Sequence, residues 1–187
     1  MKAKGGAAAF RRRLARVRLL ALDVDGVLTD GGILVAPDGT ESKWFHVRDG
    51  LGIVAARRAG LRVALVSGRT SAAVAARAKE LRIDALRQGV KDKAAEVRAL
   101  RGSFGAALAE TLFVGDDLVD LPGFAESGVS VAVADAHPRV LAEADAVCAA
   151  AGGRGAVREV IEEVLLARGD AAALPGLAPV LRRRRGR

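Results

Sequence analysis

The sequence is short of cysteine, aromatic residues and long apolar runs. Its single cysteine, Cys148, excludes an internal disulfide and a metal–thiolate cluster. Aromatic residues make up 3% of the chain, so we expect a core of Val, Leu, Ile and Ala. No run reaches the roughly 18 uninterrupted apolar residues of a membrane span. The apolar stretch after the basic N-terminus is interrupted by Asp23 and Asp25 and has no cleavage site after it, so we expect a cytoplasmic protein without a signal peptide.

The length and composition indicate one folded domain. A chain of 187 residues lies within the range of about 100–200 residues typical of a single domain. Hydrophobic residues make up 51% of the chain, which excludes disorder over most of its length.

The positive charge is concentrated at the two ends of the chain. Residues 1–18 hold seven basic residues and no acid, and residues 182–187 hold five arginines. Removing these twelve from the total of 30 leaves 18 basic against 22 acidic residues, so residues 19–181 carry a net charge of −4. Such basic ends are usually solvated, and transient contact with an anion, a nucleic acid or a membrane surface is the alternative. We expect no specific nucleic-acid partner.

Short apolar runs alternate with amphipathic stretches of helical length from residue 17 onward. This alternation predicts an α/β fold, a Rossmann-like three-layer sandwich with a mainly parallel sheet between two helical layers. Strands are expected at 17–24, 61–66, 111–114 and 129–133, with a weaker one at 146–149. Helices are expected at 50–59, 71–81, 92–101, 118–126 and 155–167.

One segment interrupts the alternation, and two others flank the folded region. Residues 31–47 contain two strand-like runs joined by Pro37-Asp38-Gly39, which predicts a β-hairpin directly after the first strand. From the chain length we expect no large additional domain, such as a cap domain over the sheet. We divide the chain into a basic N-terminal extension (1–16), a folded α/β domain (17–168) and an Ala/Pro/Arg-rich C-terminal tail (169–187).

Carboxylates follow two of the predicted buried strands. Asp23 and Asp25 end the first strand, and Asp116, Asp117 and Asp120 follow the third. The carboxyl end of a parallel sheet is where ligands bind. Carboxylates brought together there would repel one another unless a divalent cation intervened, and oxygen ligands without His or Cys favour Mg²⁺.

Two further elements supply groups that suit an anion. Ser67 and Gly68 follow the second strand and precede a helix, where a hydroxyl and backbone N–H groups can contact an anion. Lys93 starts a later helix and could add a fixed positive charge, although a lysine there is more often a surface residue.

Together these motifs resemble the haloacid dehalogenase superfamily of phosphatases over residues 17–167. Four motifs occur in order: an acidic pair after the first strand, a serine after the second, a lysine in a later helix, and a further acidic motif. A closer resemblance to the 3-deoxy-D-manno-octulosonate 8-phosphate phosphatase family rests on DVDGVLTDG (23–31), FHVRDGLGI (45–53), SGR (67–69), QG (88–89) before Lys93, GDDLVDLP (115–122) and GGRGAVRE (152–159).

The resemblance implies a mechanism and a metal site. Asp23 would be the nucleophile that forms an aspartyl-phosphate, and Asp25 would act as general acid and then as general base. Mg²⁺ would be held by the carboxylates of Asp23 and Asp116 and by the backbone carbonyl of Asp25. Phosphate would contact Ser67, Gly68 and Lys93. Asp117 and Asp120 would not contact the phosphate but would orient the groups that do.

The resemblance also suggests how a sugar would be recognised. Arg69 and Arg77 could face a sugar carboxylate, and Arg48, Asp49 and Gln88 could line the same chamber. For Arg77, a solvent-facing position on its helix is an equally good interpretation.

The leading hypothesis is a Mg²⁺-dependent hydrolase of 3-deoxy-D-manno-octulosonate 8-phosphate, on the way to lipopolysaccharide. A phosphatase for a nonulosonate 9-phosphate or for varied small phosphates is the alternative, and a catalytically silent, basic-tailed binding module is a third. Members of the family are typically homotetramers in which hairpins assemble and a neighbour's C-terminal tail closes the site. The arginine-rich tail of this chain departs from that pattern.

Overall fold

The computed structural model of the protein describes residues 1–174 and 176. The main sheet has seven strands: β1 (Lys2–Ala3), β2 (Leu19–Leu22), β5 (Arg62–Val66), β6 (Ala85–Arg87), β7 (Thr111–Gly115), β8 (Val129–Ala132) and β9 (Ala146–Val147). Their spatial order is β1-β9-β8-β7-β2-β5-β6, and every neighbouring pair is parallel except β1 and β9. The expected mainly parallel sheet is therefore confirmed.

Helices follow the strands and cover the sheet. They are α1 (Ala7–Leu14), α2 (Val47–Arg58), α3 (Ala72–Glu80), α4 (Lys93–Phe104), α5 (Leu121–Ala125), α6 (Pro138–Glu143) and α7 (Ala156–Arg168), with 3₁₀ turns at Leu108–Glu110, Leu118–Asp120 and Ala171–Ala173. The sequence did not predict β1, α1, β6 or α6, and β2 is shorter than the expected 17–24. No helix in the described part of the chain is long and apolar enough to cross a membrane.

The core is aliphatic, as expected from the scarcity of aromatic residues. The central strands β2 and β7 are fully buried, because both faces of a parallel sheet are covered. Phe113 is the one aromatic among the largest fully buried side chains, and its ring meets that of Phe124 edge to face, with centroids 5.9 Å apart.

The expected hairpin lies between β2 and α2. Its strands, β3 (Leu34–Val35) and β4 (Glu41–Ser42), pair antiparallel, and Gly39 has the positive φ (84°) that its turn requires. Within the described residues, this hairpin is the one two-stranded insertion outside the main sheet. Its outer surface is apolar, with Leu34, Val35 and Trp44 all exposed.

The N-terminal segment is not the solvated extension that its charge suggests. Strand β1 pairs with β9, and α1 buries Phe10 and Leu14 in the main core. The Arg13 guanidinium donates to both carboxylate oxygens of Asp145 at 2.8 Å. Of the C-terminal segment 169–187, the described part includes a 3₁₀ turn and the buried Leu174, and the arginine cluster lies outside the described residues.

Candidate active site

Strand register brings the predicted functional residues to one edge of the sheet. Leu22 of β2 pairs with Leu65 of β5 on one side and with Val114 of β7 on the other. Asp23 is therefore level with Val66 and Gly115, one position before the loops that carry Ser67 and Asp116. The sequence-based expectation that the two acidic strand ends converge is met.

Lys93 links two buried carboxylates at the centre of this site. Its Nζ lies 2.5 Å from Asp23 Oδ1 and 2.5 Å from Asp120 Oδ1, and all three side chains are at least 93% buried. Burial and the charge of Asp120 raise the pKa of Asp23 to about 7, although Lys93 acts in the opposite direction. Burial tends to lower the pKa of Lys93, but the negative charges of Asp23 and Asp120 outweigh it and raise that pKa.

Asp120 organises the loop after β7 rather than facing a ligand. Its Oδ2 accepts hydrogen bonds from the backbone N–H groups of Asp116 (2.9 Å) and Asp117 (3.2 Å), while its Oδ1 contacts Lys93. Asp117 is exposed, and its Oδ1 accepts from the N–H of Leu118 at 2.7 Å at the start of the 3₁₀ turn. Both residues thus support the loop.

Three carboxylates lie close enough to share a cation. Oxygens of Asp23, Asp116 and Asp120 all lie within 4.8 Å of one another. Burial, followed by the charges of Asp23 and Asp120, raises the pKa of Asp116 to about 8. Because both oxygens of Asp120 are already hydrogen-bonded, Asp23 and Asp116 are the carboxylates best suited to bind a metal. Such all-oxygen donors fit a hard divalent cation.

Gly26 lets Asp116 approach the first acidic loop. It has φ +95°, and a Cβ placed on it would lie 2.1 Å from Asp116 Oδ2. A side chain at this position would both strain the backbone and displace the Asp116 carboxylate.

Asp25 is held on both of its carboxylate oxygens. Ser67 Oγ lies 3.3 Å from Oδ2, and the ammonium of Lys43 forms an ion pair with Oδ1. Lys43 reaches the site from the hairpin, and its side chain is fully buried. The sequence analysis missed this lysine. No motif marks it, because it lies in the stretch between β4 (Glu41–Ser42) and α2 (Val47–Arg58).

Ser67 and Gly68 form a tight turn beside Asp25. The Ser67 side chain is buried, and its Oγ accepts a hydrogen bond from the N–H of Arg69 at 3.1 Å. Gly68 has no Cβ, and one added there would lie 3.6 Å from the carbonyl oxygen of Val90. Hydroxyl and backbone groups in such a turn can contact phosphate oxygens.

The arginines expected to recognise a sugar flank the site. Arg69 pairs with Glu41 of the hairpin at 2.6 Å, and Arg77 pairs with Glu80 at 2.8 Å. The Arg77 guanidinium also lies 5.9 Å from the centre of the Phe45 ring, so the residue lies against the segment before α2 instead of pointing freely into solvent. Arg48 is exposed in the first turn of α2.

Asp49 and Gln88, the other two residues expected to line the sugar chamber, each accept a hydrogen bond from a backbone N–H group. Asp49 is 1% exposed, and its Oδ1 accepts from the N–H of Arg158 at 2.7 Å, near the start of α7. The side-chain oxygen of Gln88 accepts from the N–H of Ser71 at 2.8 Å, at the start of α3. Both side chains thus satisfy backbone donors near helix N-termini, and their contact with a sugar stays a prediction.

Known proteins resemble this chain in sequence and in structure. A family model described as haloacid dehalogenase-like hydrolase matches residues 83–161. The 3-deoxy-D-manno-octulosonate 8-phosphate phosphatase of Escherichia coli (strain K12) is 47% identical over 153 residues, which cover 82% of this chain and 81% of that one. Its counterpart in Yersinia pestis is 42% identical over 167 residues, 89% of each chain.

A solved structure agrees with these sequence relatives. The 3-deoxy-D-manno-octulosonate 8-phosphate phosphatase of Moraxella catarrhalis, in complex with magnesium, phosphate and KDO, superposes with a TM-score of 0.86 at 38% identity, covering 88% of this chain and 95% of that one.

The parallel sheet, the acidic strand ends and the buried lysine define a hydrolase of the haloacid dehalogenase class. Within that class, the chain belongs to the 3-deoxy-D-manno-octulosonate 8-phosphate phosphatase family, as its relatives in E. coli and Y. pestis show. It is therefore a phosphatase, and the resemblance seen in its motifs is confirmed.

Proposed function

We propose that the protein hydrolyses 3-deoxy-D-manno-octulosonate 8-phosphate to 3-deoxy-D-manno-octulosonate and phosphate through an aspartyl-phosphate intermediate. The observation that carries this proposal is the placement of Asp23, a buried carboxylate at a strand end, between Lys93 and the Asp25 loop. The names of the E. coli and Y. pestis relatives support the choice of substrate.

Asp23 is the nucleophile in this proposal. Its Oδ1 is held by Lys93, so Oδ2 forms the new bond to phosphorus while the bond from phosphorus to the sugar oxygen breaks. Asp25 gives its proton to the departing sugar oxygen. The Asp25 carboxylate then takes a proton from water, whose oxygen attacks the phosphorus, releasing phosphate and restoring Asp23.

Mg²⁺ is the proposed cofactor, and the crowded carboxylates fit it. The carboxylates of Asp23 and Asp116 and the backbone carbonyl of Asp25 would hold the ion. When bound, it supplies positive charge that offsets the repulsion between Asp23 and the phosphate. The magnesium complex of the M. catarrhalis relative supports this choice of metal.

Ser67, Gly68 and Lys93 are the proposed phosphate-binding groups. Lys93 supplies a positive charge whose position is fixed by Asp23 and Asp120, and Ser67 supplies a hydroxyl beside Asp25. Donors fixed in advance stabilise the charge that builds up on the transferring group. Arg69, Arg77 and Arg48 are the proposed contacts for the sugar, since a guanidinium can bind a carboxylate through two hydrogen bonds.

We propose further that the protein assembles as a homotetramer through its hairpins. Leu34 is 64% exposed, Val35 is 59% exposed and Trp44 is 78% exposed, all on one short hairpin. Several large apolar side chains exposed on one short segment are typical of a protein–protein contact.

The test of the reaction is Mg²⁺-dependent phosphate release by the wild type and by Asp23→Asn. We expect the variant to lose at least about 1,000-fold in kcat, because the amide cannot replace the nucleophilic carboxylate. Asp170→Asn makes the same chemical change near the end of α7, away from the site, and serves as the matched control. Activity that persists in Asp23→Asn would refute the assignment of the nucleophile. Comparable rates on a nonulosonate 9-phosphate would refute the narrow substrate.

A further inference from the structure

We propose that Lys43 of the hairpin is a positioning residue that orients Asp25 for proton transfer to the leaving group. The inference rests on the proposed function, in which Asp25 is the general acid. It assigns to the hairpin a part in the reaction itself, in addition to assembly.

The hairpin presents two different sides. Glu41 and Lys43, two residues apart, both form ion pairs with residues at the catalytic edge of the sheet. Trp44, the next residue, is 78% exposed. Lys43 lies directly after β4, and its side chain is fully buried where its ammonium meets Asp25.

Stability alone is a poor reason for this buried pair. The Lys43 side chain is fully buried and the Asp25 side chain is 20% exposed. Removing an ammonium from water costs several kcal/mol of desolvation free energy, and the attraction between two buried charges seldom exceeds that cost. An apolar residue at position 43 would hold the hairpin at least as well, so the charge is better explained by what it does to Asp25.

The pair restricts how the Asp25 carboxylate can turn. Lys43 contacts Oδ1 and Ser67 Oγ lies 3.3 Å from Oδ2, so rotation of the carboxylate breaks both contacts. Glu41, by contrast, contacts Arg69. A general acid works only when its oxygen lies within hydrogen-bond reach of the leaving oxygen, and small misplacements are costly. Lys43 thus fixes the oxygen that must deliver the proton.

The test compares Lys43→Met with the wild type on two substrates that differ in their need for a proton. Phenyl phosphate has a basic leaving group that needs protonation, whereas 4-nitrophenyl phosphate has a stable anionic one. Using the full chain with Mg²⁺, we expect kcat/KM for phenyl phosphate to fall by about 10- to 100-fold. The value for 4-nitrophenyl phosphate is expected to fall by less than about threefold, since little proton transfer is lost.

Two controls separate positioning from simple loss of hairpin contact. Glu41→Gln removes the neighbouring ion pair of the hairpin, with Arg69, and we expect no selective loss on phenyl phosphate. In the Asp25→Asn background, Lys43→Met is expected to have little further effect, because a residue that acts through Asp25 has nothing left to orient. If methionine at position 43 prevents folding, as judged by thermal unfolding, Lys43→Gln carries the same comparison.

Several outcomes would overturn the inference. They are an equal loss on both aryl phosphates, no loss on either, the same selective loss in Glu41→Gln, and a full additional loss in the Asp25→Asn background. Phenyl phosphate and 4-nitrophenyl phosphate contain no sugar, so their comparison tests the role of Lys43 independently of the proposed sugar substrate. A wild type that hydrolyses aryl phosphates but not 3-deoxy-D-manno-octulosonate 8-phosphate therefore contradicts the proposed substrate and leaves the role of Lys43 to be decided by the variants.

Discussion

At the scale of single residues, Asp120 shapes the site through its hydrogen bonds. It holds Lys93 on one oxygen and the backbone of the Asp116 loop on the other. The sequence predicted that this aspartate lies at the site, because it follows a buried strand at a motif spacing. It could not predict which oxygen meets which donor, since that depends on the 3₁₀ turn Leu118–Asp120. Lys43 was missed because it belongs to no motif and reaches the site across the fold.

Gly26→Ala should damage the site and the fold together. The new Cβ would overlap Asp116 Oδ2 and would sit at a φ of +95°. We therefore expect a loss of about 1–3 kcal/mol in stability and weaker Mg²⁺ binding, seen as a higher Mg²⁺ concentration for half-maximal turnover. Thermal unfolding and a magnesium titration of phosphate release would measure these effects.

Gly60→Ala is the matched control for that change. It has a similar φ of +81° with nothing within 4 Å of the added Cβ, so it shares the backbone strain but not the overlap. If both variants showed the same magnesium dependence as the wild type, the close approach of Gly26 to Asp116 would have no functional consequence.

At the scale of elements, helix α1 and strand β1 were not predicted because the basic residues around them are typical of a solvated segment. Phe10 and Leu14 are four residues apart, which places them on one face of a helix, and that face is buried. The arginines between and around them dominated the composition and indicated a solvated segment. Strand β6 is only three residues long, too short for an apolar run to stand out. The longer central strands were predicted because burial on both faces requires continuous apolar runs.

Asp145→Asn should weaken the attachment of α1 in a pH-dependent way. Burial tends to raise the pKa of Asp145, but hydrogen bonds from Arg13 and Ser130 outweigh it and lower that pKa. A lowered folded-state pKa gives stability that is present above the unfolded pKa of about 3.9 and is lost as the pH falls through the folded value.

We therefore expect Asp145→Asn to lower the stability at pH 7 by about 1–2 kcal/mol, with the difference from the wild type shrinking below about pH 4. Chemical denaturation across a pH series would measure it. A difference that stayed constant down to pH 3 would contradict the ionic origin of this contact.

At the scale of the whole molecule, the hairpin is the element on which both the proposed role of Lys43 and the proposed assembly rest. The hairpin itself was predicted from the turn residues Pro37-Asp38-Gly39 and is confirmed. The contact between Lys43 and Asp25 could not be predicted, because it depends on how the hairpin is oriented over the sheet edge.

Replacing Leu34 and Trp44 together by serine should shift the protein from tetramers to smaller species. These side chains are 64% and 78% exposed, and their burial against another copy would contribute most of the apolar contact on the hairpin. Sedimentation velocity or light scattering would give the mass. Val119→Ser, at a residue that is 63% exposed outside the hairpin, is the control. A wild type that sediments as a monomer, or an unchanged mass in the double variant, would contradict the proposed assembly.

The main sheet ends in short strands on both sides. Its edge strands are Lys2–Ala3, of two residues, and Ala85–Arg87, of three, while its longest strands lie inside. An edge this short offers few unpaired backbone groups to a strand from another molecule. The sheet therefore presents little free backbone at either edge to which a strand from another molecule could add.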